Sequence, residues 1–193
     1  MLMVIFMFLY KIARPIVYLF IKLYRPTYIG LSNIPKDGAF ILAGNHTSKL
    51  DPILVASSTK RCVHFFAKDS LYKGIKKPLF KGLGIIPVNR SIKDRNSLIK
   101  GIECLNSNHV VGIFPEGTIN RTNNIIMNFK YGAVKMSNET NTKIIPFAIK
   151  NKYKFLKKSV TILFGTPIIA KDDLEKSNKC LENKVKELLS KDV

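Results

Sequence analysis

Residues 38–52 read Gly-Ala-Phe-Ile-Leu-Ala-Gly-Asn-His-Thr-Ser-Lys-Leu-Asp-Pro. The first part, Ala39–Ala43, is a short apolar run of strand length. Asp51-Pro52 then opens a helix that reaches about Ser58, with Pro at its first position. His46 and Asp51 lie between, five residues apart. On a continuous helix that spacing points two side chains about 140° apart. With His46 on the loop and Asp51 at the helix start, the turn folds the carboxylate back toward the imidazole. A histidine held in one tautomer by an aspartate is the base half of a catalytic triad. A second reading stays open at this point. Asp before Pro suits an N-cap, and His46 then is an ordinary loop residue.

Outward from this stretch the pattern alternates. Strands are predicted at Val63–Ala67, Ile85–Val88, Val110–Phe114, Lys143–Ile149 and Val160–Phe164. Helical spacing marks Ser70–Gly82, interrupted by Pro78, then Ile92–Leu105, Phe129–Ser137 and the tail from Leu174. Pro26–Gly38 reads as a connector. Pro146 inside a strand-like run predicts an edge strand or a bulge. Strands alternating with helices argue an α/β domain with a mixed, largely parallel sheet flanked by helices. Ligands in such sheets sit at the carboxyl ends of strands. His46 follows the first strand, and Glu116 follows the strand ending at Phe114.

The 193 residues suit one domain with a real core. Apolar residues at 46% and charged residues at 23% argue against disorder. The 32 Lys and Arg against 13 Asp and Glu give a net charge of +19. That excess predicts an anionic partner: nucleic acid, anionic lipid or a phosphorylated substrate. Cys62, Cys104 and Cys180 form neither a disulfide framework nor a zinc pattern, which fits a reducing, cytosol-facing location. His46, His64 and His109 lack metal-ligand spacing, so no metal is expected.

The N-terminus separates these partners. Residues 1–24 are strongly apolar, and no acidic residue occurs before Asp37. Lys11, Arg14 and Lys22 interrupt the clean apolar run that a spanning helix needs. On a helix, Lys11, Arg14, Lys22 and Arg25 fall within about 80° of one another. One cationic face on an otherwise apolar helix is the pattern of a segment lying in the membrane interface. Pro15 is expected to split it into a helix pair.

Further motifs follow. Ile113–Thr118 reads Ile-Phe-Pro-Glu-Gly-Thr, which sets Glu116 at the rim of the sheet beside the permissive Gly117. Gly84–Arg90 reads Gly-Ile-Ile-Pro-Val-Asn-Arg and sets Arg90 just after a strand, where it suits a phosphate clamp. Ile144–Ile149 carries Ile-Pro. Each is weak alone. In order, Asn-His-x4-Asp, Gly-x-Ile-x-Val-x-Arg, Phe-Pro-Glu-Gly-Thr and Ile-Pro resemble the glycerolipid acyltransferases, specifically the 1-acyl-sn-glycerol-3-phosphate acyltransferases. Phe65–Lys73 (Phe-Phe-Ala-Lys-Asp-Ser-Leu-Tyr-Lys) resembles the segment between the first two motifs. The resemblance covers roughly residues 26–170. Where the family often has Arg after Glu-Gly-Thr, this chain has Ile119, with Arg121 two residues later.

The resemblance implies the glycerolipid acyltransferase fold, with residues 1–25 a membrane-associating segment and 26–193 the acyltransferase domain. It implies acyl transfer from acyl-CoA or acyl carrier protein to lysophosphatidic acid, with His46 as general base and Asp51 orienting it. Arg90, Phe114, Pro115, Glu116, Gly117, Thr118 and Lys68 are the expected substrate-binding residues, and no cofactor is expected. The basic stretch 60–100 is placed at the phosphate or membrane face. The expected site of action is the cell membrane, peripherally or monotopically bound, with an anionic membrane surface as partner and the active site facing the cytoplasm. Glycerol 3-phosphate or another lysophospholipid is the alternative acceptor. A basic membrane- or nucleic-acid-binding protein without catalysis is the alternative of another class. The absence of any reading motif argues against specific nucleic-acid binding.

Overall fold

A computed structural model describes residues 10, 14–72, 76–89 and 94–192. Among these, seven strands form one sheet in the order β1-β7-β6-β2-β5-β3-β4. They are β1 (Thr27–Ile29), β2 (Phe40–Gly44), β3 (Val63–Lys68), β4 (Ile86–Val88), β5 (Val110–Ile113), β6 (Ile144–Lys150) and β7 (Thr161–Phe164). Every pairing is parallel except β6 with β7. The mixed, largely parallel sheet is therefore as expected. The connector Pro26–Gly38 is a correction: it holds β1, too short to show a period.

The helices are α1 over residues 14–22, α2 (Asp51–Ser57), α3 (Lys76–Gly82), α4 (Arg95–Asn106), α5 (Gly132–Thr140) and α6 (Leu174–Ser190). Local chemistry sets their ends. Asp94 and Asp173 cap α4 and α6, accepting from Ser97 N and Lys176 N. Asn141, at φ 50, closes α5 in the left-handed region. Pro78 sits in the first turn of α3, where a missing N–H costs nothing, so it begins that helix instead of interrupting it.

β2 is buried along its whole length because both faces of the sheet are covered. Side chains alternate. Ile41 and Ala43 join Val134 and Met136 of α5 and Leu181, Val185 and Leu188 of α6 on one face. Phe40 and Leu42 join Ile21 of α1 and Leu54 and Val55 of α2 on the other. Each such large apolar side chain, withdrawn fully from water, contributes roughly 1.5–3 kcal/mol.

Pro146 is a correction with a reason. It lies in β6, inside the sheet and not at its edge. Between the Ile144–Ile168 bridge and the Phe147–Phe164 pair, the facing chain has one residue more than β6. The ladder opens opposite Pro146, where a missing N–H does no harm, and Pro146 O still accepts from Gly165 N at 2.8 Å. The bulge half of the expectation thus matches.

Of the basic N-terminal face, Lys11 lies outside the described residues, as does most of the first half of the expected helix pair. Arg14 is half-buried, with Nη2 3.4 Å from Thr59 O. Arg25 lies beyond α1 at φ 43, off any helical stripe. Among the described residues, no helix is long and apolar enough to cross a membrane.

Candidate active site

The carboxyl ends of β2, β5 and β6 lie side by side in the sheet, and the loops that leave them build one site. The β2 loop supplies Asn45 and His46. The β5 loop supplies Phe114–Thr118. The β6–β7 loop supplies Tyr153.

Asp51 is the first residue of α2 and is completely buried. Leu50, not Asp51, occupies the cap position and makes no side-chain cap. The carboxylate instead turns back over the preceding loop. Its Oδ2 accepts from His46 Nδ1 at 2.8 Å, Thr47 N at 2.6 Å and Ser48 N at 2.7 Å. Its Oδ1 accepts from the Tyr153 hydroxyl at 2.6 Å and from Thr47 Oγ1 at 3.3 Å. Both oxygens of this buried carboxylate are therefore met by donors. Burial and the Asp51 charge push the Tyr153 phenol well above its usual range, so it stays a donor.

His46 is fixed on three sides. Asp51 holds Nδ1, so that nitrogen carries the proton and Nε2 carries the lone pair. The ring stacks on Phe114, with centroids 4.1 Å apart and planes 18° apart. Its main chain is tied by N–H to Glu116 Oε1 at 2.7 Å and by C=O to Asn120 N at 2.8 Å.

Glu116 is buried, 3% exposed. Its other oxygen accepts from Met127 N at 2.8 Å. Burial raises its carboxyl above the usual range, against the pull of those two N–H donors and of His46. Both oxygens are thus committed to the main chain, so Glu116 sets the position of His46 relative to the β5 loop. Glu116→Gln keeps the shape but turns an NH₂ toward one of the two donors. It is expected to cost about 1–3 kcal/mol of stability, measured by denaturant unfolding. Unchanged stability would show that the two ties carry no weight.

Two glycines allow the close approaches. A Cβ on Gly44 would lie 2.1 Å from Phe147 O. Gly117 has φ 76, and a Cβ there would lie 2.9 Å from Lys130 Nζ. Pro115 is buried, Thr118 and Arg121 are exposed, and Lys68 is exposed at the carboxyl end of β3. Arg90 lies outside the described residues.

Sequence reasoning missed two residues of this site. Asn45 is buried and exchanges two bonds with Ile149, Oδ1 from Ile149 N at 2.7 Å and Nδ2 to Ile149 O at 3.0 Å. It continues the β2–β6 ladder with a side chain and so fixes where the loop leaves the sheet. The only signal was its place beside His46. Tyr153 lies 102 residues from Asp51, and nothing local marks it. Among the described residues, no group of His, Cys, Asp and Glu is arranged to hold a metal ion.

The arrangement is a histidine ring held by a buried carboxylate at the carboxyl edge of the sheet. It suits removal of a proton from a substrate hydroxyl. The Acyltransferase family model matches residues 25–150. A 1-acyl-sn-glycerol-3-phosphate acyltransferase of Borreliella burgdorferi is 32% identical over 142 residues, which is 72% of this chain and 56% of that protein. The chain therefore matches little more than half the length of that relative. A protein of the same name from Bacillus subtilis is 28% identical over 173 residues, 82% of this chain and 85% of that one. Among solved structures, the 1-acyl-sn-glycerophosphate (LPA) acyltransferase PlsC from Thermotoga maritima shares the fold, with a TM-score of 0.71 at 23% identity over 92% of this chain and 80% of that one. The His46–Asp51 turn, the Phe114–Thr118 loop and the sheet between them all lie within the matched residues, and this chain belongs to the acyltransferase family.

Proposed function

We propose that this protein transfers an acyl group from a thioester donor, acyl-CoA or acyl carrier protein, to the sn-2 hydroxyl of 1-acyl-sn-glycerol 3-phosphate, giving phosphatidic acid at an anionic membrane surface facing the cytoplasm. The observation that carries the reading is the His46–Asp51 pair, 2.8 Å apart at the carboxyl edge of the sheet.

A glycerol hydroxyl is a poor nucleophile at neutral pH. His46 Nε2 takes its proton as the oxygen attacks the thioester carbonyl. Asp51, buried behind the ring, stabilises the imidazolium that forms and holds the ring in line. The tetrahedral intermediate collapses, the carbon–sulfur bond breaks, and the thiolate leaves. His46 returns the proton to that sulfur, so the products are an ester and a free thiol. Transfer is direct and passes through no acyl-enzyme.

Phe114, Pro115, Gly117 and Thr118 form the acceptor side of the site in this reading, with Glu116 holding their loop against His46. Lys68, at the carboxyl end of β3, is assigned to the phosphate together with Arg90, which lies outside the described residues. A cavity of about 130 Å³ between α1 and α2, lined by Val17, Pro52, Ile53, Val63 and Phe65 among others, gives apolar room beside the catalytic helix. The names of the two relatives support the choice of acceptor.

The test is a panel in which the purified protein meets 1-acyl-sn-glycerol 3-phosphate, other lysophospholipids and glycerol 3-phosphate, each with acyl-CoA and acyl carrier protein. The expected result is the highest kcat/KM for 1-acyl-sn-glycerol 3-phosphate. A higher value for glycerol 3-phosphate or a lysophospholipid with another headgroup would reassign the acceptor.

A further inference from the structure

The β6–β7 loop, residues 151–160, presents side chains that the folded protein leaves unused. Phe155 and Leu156 are each 58% exposed at its tip. Leu156 has φ 57, a left-handed backbone that is costly for a branched apolar residue. That conformation is held by a bond from Leu156 N to Leu23 O at 2.7 Å. The loop leaves both apolar side chains more than half exposed, although the left-handed backbone at Leu156 is costly.

The loop is keyed to the end of α1. The Tyr24 ring meets Tyr153 at 5.9 Å, Phe155 at 5.8 Å and Phe20 at 5.7 Å, each edge to face. Leu19, Phe20 and Leu23 at this end of α1 are also exposed, and Leu23 and Tyr24 join that end to Leu156 and Phe155. Exposed apolar side chains gathered on two joined segments mark an interaction surface.

The charge around it selects the partner. Lys152, Lys154, Lys157 and Lys158 are all exposed. No acidic residue occurs between Glu139 and Asp172. Among the described residues, none of these four lysines pairs with a carboxylate. Apolar tips ringed by unpaired lysines match a bilayer whose headgroups are anionic. A nucleic acid would satisfy the lysines and leave Leu156 in water.

We propose that the β6–β7 loop is a membrane-docking element that inserts Phe155 and Leu156 into an anionic phospholipid surface and sets the catalytic pair beside that surface. Tyr153, whose hydroxyl meets Asp51, stands two residues before Phe155, and two residues of chain span at most about 7 Å. The inference rests on the lipid-directed reading above, but its test reads binding and not turnover.

The chain contains no tryptophan, so Phe155→Trp introduces a single reporter. Full-length protein is mixed with phosphatidylcholine vesicles, with and without phosphatidylglycerol. The expected result is a blue shift and quenching by brominated acyl chains, with anionic vesicles only. A second variant, Phe155→Ser with Leu156→Ser, is expected to partition to those vesicles roughly tenfold more weakly. Its turnover of detergent-dispersed acceptor is expected to be unchanged. Protein that sediments with vesicles while the tryptophan is neither shifted nor quenched would overturn the proposal, since binding then uses another face. Equal binding to neutral vesicles, or none to either, would overturn it as well. Loss of acyl transfer in every assay, with the tryptophan still quenched, would reject the proposed reaction and keep the docking loop.

Discussion

His46→Ala is expected to lower kcat/KM for acyl transfer by about 10³-fold, within the range that general-base catalysis supplies. Asp51 fixes Nδ1, Phe114 fixes the plane of the ring, and Glu116 and Asn120 fix the main chain on either side. No other described side chain shares this position as a base. The substitution removes a half-buried ring that stacks on Phe114 but leaves the ties of residue 46 through its N–H and C=O. The variant is expected to fold, with a modest loss of thermal stability. Thiol release by the purified, detergent-solubilised variant measures the effect. Turnover at the wild-type rate would reject His46 as the base.

Asp51→Asn is the second large effect, again about 10³-fold in kcat. The amide keeps the volume of the carboxylate and one acceptor oxygen. It loses the charge that stabilises the imidazolium, and its NH₂ group has to face a site now filled by donors. Thr47 N, Ser48 N, His46 Nδ1 and the Tyr153 hydroxyl all point at this carboxylate. The variant should therefore lose stability too, because a donor left unpaired in a buried site costs about 1–3 kcal/mol. The measurement is a pair: single-turnover rate and denaturant midpoint. A variant with reduced stability and full activity would assign Asp51 to the fold alone.

These two effects are separable because of where Asp51 stands. At the helix start it was legible as a residue free to turn toward His46, and it does so. The competing idea of a helix cap was also reasonable, since Asp-Pro is a common helix opening. The structure gives the cap position to Leu50 and spends the carboxylate on the loop instead. Sequence spacing located the pair; it had no means of counting the donors that converge on Asp51.

The alternation of strands and helices was legible for a physical reason. Each buried strand is a short, largely apolar run between polar turns. β1 escaped because three residues carry no period, and its edge position leaves it half-exposed. Pro146 misled because a proline in a ladder argues for an edge, while the local register change that accommodates it involves residues 165–167, far along the chain. The N-terminal stripe misled in part for a similar reason: Arg25 was counted as helical, and a positive φ removes it from the helix.

In the site, chain-local features were readable and chain-distant ones were not. Phe114–Thr118 declared itself through its residue types. The role of Glu116 did not, because its partners, His46 N and Met127 N, lie on two other segments. Asn45 and Tyr153 act through Ile149 and Asp51, which only the folded sheet brings within reach.

The central claim is that the His46–Asp51 pair delivers an acyl group to the sn-2 hydroxyl of a lysophosphatidate. It is tested most directly by mass spectrometry of the lipid formed when purified protein meets 1-acyl-sn-glycerol 3-phosphate and an isotopically labelled acyl thioester. The account predicts phosphatidic acid carrying the label at sn-2, formed together with one equivalent of free thiol. Free thiol released without labelled phosphatidic acid, or label found at sn-1, would contradict it.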